Sequence, residues 1–99
     1  MGYDSSIEYG PYITQQFEKL NETAVQTAIK RIGRLQKNPE LGTPLKGKAR
    51  NYNLRSLRIS TSQGEFRVIY QLWKEQKKIL AVFIGSREDV YDRLNRWLE

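Results

Sequence analysis

The stretch SLRISTSQGEFRVIYQLW, residues 56–73, decides the fold. Apolar and polar residues alternate on both sides of the turn Thr61-Ser62-Gln63-Gly64, with Leu57 and Ile59 before it and Phe66, Val68, Tyr70 and Leu72 after it. A period of two marks strands with one buried face. A hairpin centred on Ser62-Gln63 sets Ile59 across from Phe66 and Leu57 across from Val68, apolar against apolar. The same register sets Arg58 directly opposite Arg67 on the other face. Like charges placed this way repel. Two readings follow: an anion between the guanidiniums offsets the repulsion, or both side chains splay into water and salt screens them.

Working outward, Lys74-Glu75-Gln76-Lys77 reads as the next turn. Ile79 to Ile84 is apolar on both parities, as expected of a central strand covered on both faces. Gly85-Ser86 breaks it, and Val90, Leu94, Trp97 and Leu98 form one face of a C-terminal helix. Upstream, residues 38–53 are a loop rich in Pro, Gly and Lys/Arg. Before the loop, Pro11 suits the first turn of a helix that carries Ile13, Phe17 and Leu20 at helical spacing. Asn21 suits the N-cap of a second helix, with Val25, Ala28, Ile29, Ile32 and Leu35 as its buried stripe. Asn38-Pro39 ends that segment, because the residue before Pro is pushed out of helical geometry. Residues 1–9 allow one more short strand. The expected fold is a single α+β domain over residues 1–99: an antiparallel sheet of three to four strands, an N-terminal helical hairpin and a C-terminal helix.

Composition removes several kinds of chemistry. The 99 residues contain no Cys and no His. Disulfides, thiolate zinc sites, cysteine nucleophiles, Ser-His-Asp triads and paired-histidine ribonuclease mechanisms are excluded. Carboxylates do not cluster as a magnesium site requires, so no metal and no cofactor are expected. No apolar run is long enough to span a membrane, and no basic start followed by an apolar core marks a signal peptide, so a cytoplasmic protein is expected. The net charge is +6, and it is not spread evenly. Residues 1–45 hold five basic and five acidic side chains, whereas residues 46–67 hold six basic ones against Glu65 alone. Charge gathered in this way points to an anion-binding surface, with nucleic acid the commonest large anion. The plainer alternative is a solvated sheet edge kept soluble by its charge. One more cation, Arg87, stands at the end of the third strand, and Tyr91 follows it by one helical turn; Tyr91 as a core residue and Arg87 paired with Glu88 is the other reading.

Taken in order, these pieces resemble the RelE/ParE superfamily of bacterial toxins. The resemblance covers roughly residues 12–91. It rests on the two helical segments, Asn38-Pro39, Gly42-Thr43-Pro44-Leu45-Lys46-Gly47, Leu57-Arg58-Ile59, Phe66-Arg67-Val68-Ile69-Tyr70, Ile84-Gly85-Ser86-Arg87 and Val90-Tyr91. It implies a toxin of a type II toxin–antitoxin system. In the RelE-like branch that toxin is a metal-independent endoribonuclease that cuts mRNA on the ribosome and stops translation. The implied catalytic residues are Arg58, Arg67, Arg87 and Tyr91. Lys46, Lys48, Arg50 and Arg55 are the expected RNA contacts, and the expected partners are an acidic antitoxin, the ribosome and mRNA. Guanidiniums placed at a pentavalent phosphorane stabilise its extra charge more than that of the substrate. Lys46, Lys48, Tyr91 and Glu88 are the candidates for moving protons. The sequence departs from the branch at Ser56, where some members carry a lysine. The alternatives are a ParE-like inhibitor of DNA gyrase and a catalytically degenerate antitoxin-binding module.

Overall fold

The computed structural model describes residues 5–98, apart from the side chains of Ala49 and Arg50. Five strands, β1 (Ser6–Tyr9), β2 (Thr43–Pro44), β3 (Leu54–Thr61), β4 (Gly64–Trp73) and β5 (Lys78–Gly85), lie in the order β1-β5-β4-β3-β2. Three helices accompany them: α1 (Pro11–Phe17), α2 (Glu22–Gly33) and α3 (Arg87–Leu98).

The central meander β3-β4-β5 follows the sequence pattern. Arg58 pairs with Arg67, Ile59 with Phe66 and Leu57 with Val68, around a two-residue loop at Ser62-Gln63. The sheet itself differs from the expected three to four antiparallel strands. It has five strands and is mixed, because β1 runs parallel to β5 from Ser6↔Lys78 to Tyr9↔Ala81. A parallel neighbour needs a long crossover, and here residues 10–77 supply it. The extra edge strand β2 is only two residues long.

Each sheet face carries its own core. Ile13, Ala28, Ile32 and Leu35 pack over Leu57, Ile59, Val68, Tyr70, Ile79 and Ile84 on one face. On the other, Val90 and Leu94 of α3 pack over Leu54, Ile69, Val82 and Phe83. Burying one such aliphatic side chain contributes roughly 1.5–3 kcal/mol. β5 therefore is the two-faced strand its composition implies. A bulge keeps its faces in order: Ile69 pairs with Phe83 and Tyr70 with Ala81, leaving Val82 as the extra residue.

The expected helical hairpin is also revised. Asn21 caps α2, its side chain accepting the Ala24 N–H at 2.8 Å. However, α1 seats on β5 and α2 on β3, so each helix packs on the sheet more than on its neighbour. The buried stripe is rotated accordingly: Ala24, Ala28 and Ile32 are buried, Val25 is half-buried and Ile29 is 45% exposed. Small residues at 24 and 28 let the α2 backbone approach the sheet, which turns the β-branched pair outward. No helix among the described residues is long and apolar enough to cross a membrane.

Candidate functional site

Parity sorts the basic residues. Leu57 and Ile59 point to the α1–α2 core, so Ser56 and Arg58 lie on the face shared with α3, as does Arg67. Arg58 is 67% exposed and Arg67 is 23% exposed. One carboxylate serves both: Glu65 Oε1 lies 4.0 Å from Arg58 Nε and 3.9 Å from Arg67 Nη2. Both contacts are long and partly solvated, so they hold the guanidiniums weakly.

Beneath this exposed layer are two polar atoms without a protein partner. Arg67 Nε and Ser56 Oγ are both buried and unbonded. Ser56 is paired with Ile69, two residues beyond Arg67 on β4, so the two side chains are diagonal neighbours on one face. Buried donors and hydroxyls are ordinarily satisfied, and an exception calls for an explanation. A guanidinium donor, a hydroxyl and a second guanidinium on adjacent strands match the oxygens of a phosphate.

Arg67 also faces Gly85 of β5. From there the chain turns into α3. The Ser86 carbonyl accepts the Val90 N–H at 3.0 Å, and its hydroxyl accepts the Asp89 N–H at 3.3 Å. This cap sets Arg87 on the first turn, exposed and without an ion pair among the described residues; the pairing with Glu88 is not formed. Tyr91, one turn on, is half-buried against the α3 core. It lines a groove of about 550 Å³ whose other walls include Leu45, Lys46, Lys48 and Asn95. Lys46 and Lys48 are exposed beside it. The structure thus brings Arg58, Arg67 and Ser56 together on the strands, and Tyr91, Lys46 and Lys48 together around the groove, with Arg87 at the strand-to-helix turn.

Two basic residues are placed differently. Arg55 shares the parity of Leu57 and turns away from this face. Its Nη1 donates to the Gly42 carbonyl at 2.6 Å and the Glu40 carbonyl at 3.2 Å, clasping the loop before β2. The Arg50 side chain lies outside the described residues. Glu40, at the same clasp, is held below its ordinary carboxylate range by a hydrogen bond from Lys74 and by the charges of Lys74 and Arg55. Ser56 and Glu65 share this face with Arg58 and Arg67, a placement the sequence reading did not draw. The parity that placed Arg58 was the available signal for both.

Comparison with known proteins places the fold. The model of the ParE toxin of the type II toxin–antitoxin system, parDE, matches residues 7–91. No curated protein matches the chain in sequence. Among solved structures, the chain is similar to the RelBE2 toxin–antitoxin complex from Mycobacterium tuberculosis (TM-score 0.73, 17% identity, 88% of this chain and 95% of that one). It is also similar to a mutant of the E. coli toxin RelE in the free state (TM-score 0.72, 18% identity, 90% and 92% covered). The archaeal RelE–RelB complex from Pyrococcus horikoshii superposes with a TM-score of 0.62 at 18% identity, over 85% of this chain and 96% of that one. At these identities the likeness is one of fold.

Proposed function

The chain belongs to the ParE toxin family of type II toxin–antitoxin systems, and from that premise we propose that it is a metal-independent endoribonuclease that cuts mRNA on the ribosome. The observation that carries this reading is the opposition of the Arg58 and Arg67 guanidiniums on one sheet face, balanced only by the long contacts to Glu65 among the described residues. A polyanion completes that arrangement; a protein surface built for packing does not need it.

In the proposed reaction the 2′-oxygen of a ribose attacks the adjacent phosphorus, and the bond to the 5′-oxygen breaks. The phosphorane between these states carries extra negative charge. Arg67, fixed by its strand and partly desolvated, meets that charge, with Arg58 and Arg87 on either side. Tyr91 stacks on or orients the neighbouring nucleotide, and Lys46 and Lys48 steer the backbone along the groove. A water takes the proton of the 2′-hydroxyl, and the ammonium of Lys46 or Lys48 at the groove wall returns one to the departing 5′-oxygen and is reprotonated from solvent.

The proposed partner in the resting state is an acidic antitoxin. The basic face supports this, as do the RelB-bound toxins of the same fold. The ParE name of the family favours a second reading, inhibition of DNA gyrase. Primer extension on mRNA in a translating extract separates the two. Breaks within codons, dependent on ribosomes, support the nuclease. Intact mRNA with growth arrest and broken chromosomal DNA supports the gyrase reading and overturns the nuclease.

A further inference from the structure

We propose that the C-terminal half of α3 and the start of α1 form a second site, which binds one nucleotide of a single-stranded nucleic acid, the base stacked on Trp97 and Tyr12 and its phosphate held by Arg93 and Arg96. The cavity measures about 210 Å³ and is lined by Tyr12, Phe83, Arg93, Arg96 and Trp97. Phe83 is its buried floor, while Tyr12 is 51% and Trp97 42% exposed. Large rings are ordinarily turned into a core; here the two on the rim present edges and faces to solvent. The rings form one continuous set. Tyr12 and Phe83 have centroids 5.8 Å apart, Phe83 and Trp97 6.5 Å, and Trp97 and Tyr52 5.4 Å, all tilted or edge-on. Such packing fixes the rim rings and leaves an outer face for a further planar group.

Asp89 and Asp92 precede Arg93 and Arg96 by one helical turn, a spacing that permits ion pairs. Neither arginine makes one among the described residues. Their i, i+3 spacing puts both on one side of α3, toward the aromatic cavity. A carboxylate alone would engage the arginines and leave the rings idle, and an apolar group would do the reverse. A nucleotide uses both, by stacking and by charge. This site shares no lining residue with Arg58, Arg67 and Arg87 and takes no part in the reaction proposed above; it adds a grip on an RNA strand.

The test uses the full chain carrying Arg67→Ala to suppress toxicity and Trp73→Phe, so that Trp97 is the remaining tryptophan of two. The probe is a six-nucleotide adenosine RNA, titrated at low salt while Trp97 emission is followed. The expected result is saturable quenching. Affinity should drop roughly tenfold or more when Tyr12→Ser is added. It should also drop with Arg93→Gln and Arg96→Gln, which remove charge but keep the fold by circular dichroism. Unchanged emission on titration overturns the site. So does quenching that survives loss of both arginines, or quenching by a Glu-rich peptide containing Phe but not by RNA. Because the background lacks Arg67, a negative result here leaves the nuclease reading standing, and loss of nuclease activity leaves this site standing.

Discussion

Arg58 and Arg67 stand directly opposite each other across β3 and β4, with only the long contacts to Glu65 between their charges among the described residues. Opposed cations on a sheet cost stability until an anion joins them. The melting temperature should therefore rise in phosphate relative to chloride at equal ionic strength. Occupancy at a hundred times the dissociation constant corresponds to about 2.7 kcal/mol. Calorimetry on Arg67→Ala should show the phosphate effect gone, while Arg58→Ser should weaken it and leave stability in chloride within about 0.5 kcal/mol.

Arg67 and Arg87 reach the proposed phosphate from different elements, so each should matter to activity without mattering to the fold. Alanine at either position should slow mRNA cleavage by roughly 10²–10³-fold, the usual cost of losing one preorganised donor to transition-state charge. Cleavage in a translating extract, with circular dichroism of each variant, measures this. A folded Arg87→Ala protein that cleaves at the parental rate contradicts the assignment.

Tyr70 is a separate, structural matter. Its hydroxyl donates to the Pro39 carbonyl at 2.7 Å and accepts the Gly42 N–H at 3.0 Å, pinning the loop before β2 onto the core. Tyr70→Phe leaves both loop groups unpaired and should cost about 1–3 kcal/mol in a urea melt. Burial pushes the hydroxyl above its ordinary value of 10.0. An acid whose folded pKa is raised contributes fully below its unfolded value and loses that contribution as pH rises through the folded one. Stability should thus fall above about pH 10, and less steeply in Tyr70→Phe. Tyr9, also raised by burial, acts in the same direction in both proteins.

Gly42 is held to its identity by the same contact. A Cβ there would lie 2.8 Å from the Tyr70 ring and hydroxyl and 2.9 Å from the Ser56 carbonyl. The Ser56 carbonyl is sheet backbone and yields little. Gly42→Ala should destabilise by about 1–3 kcal/mol, as overpacking does. Thermal denaturation checks it, with Gly33→Ala, which meets nothing within 4 Å, as the control expected to be neutral or better.

The central hairpin was legible because one local rule, alternation about a short turn, determines both its faces and its register. Hence the opposition of Arg58 and Arg67 follows from that alternation alone. β1 was not legible in the same way: the alternation of Ser6-Ile7-Glu8-Tyr9 is only four residues long, and its partner β5 is distant in sequence, so no local signal specifies a parallel pair. The rotation of α2 was hidden because Ile29 is apolar yet exposed, whereas the small Ala24 decides how closely the helix sits. Arg55 counted toward a basic cluster in the linear sequence. Its parity with Leu57 and Ile59 already assigned it to the other face, where loop carbonyls take its donors.

The pairing of β1 with β5 also bears on synthesis. The first strand to leave the ribosome waits for Lys78–Gly85, and α3 with Arg87 and Tyr91 is made later still. Pairings this distant in sequence form late, since chain closure must precede their reward. Nascent fragments therefore hold Arg58 and Arg67 without the helix that carries Arg87 and Tyr91. On the proposed reading, the surface of Arg58, Arg67, Arg87 and Tyr91 is complete only once α3 has been made, so a product that stops before Arg87 lacks half of it.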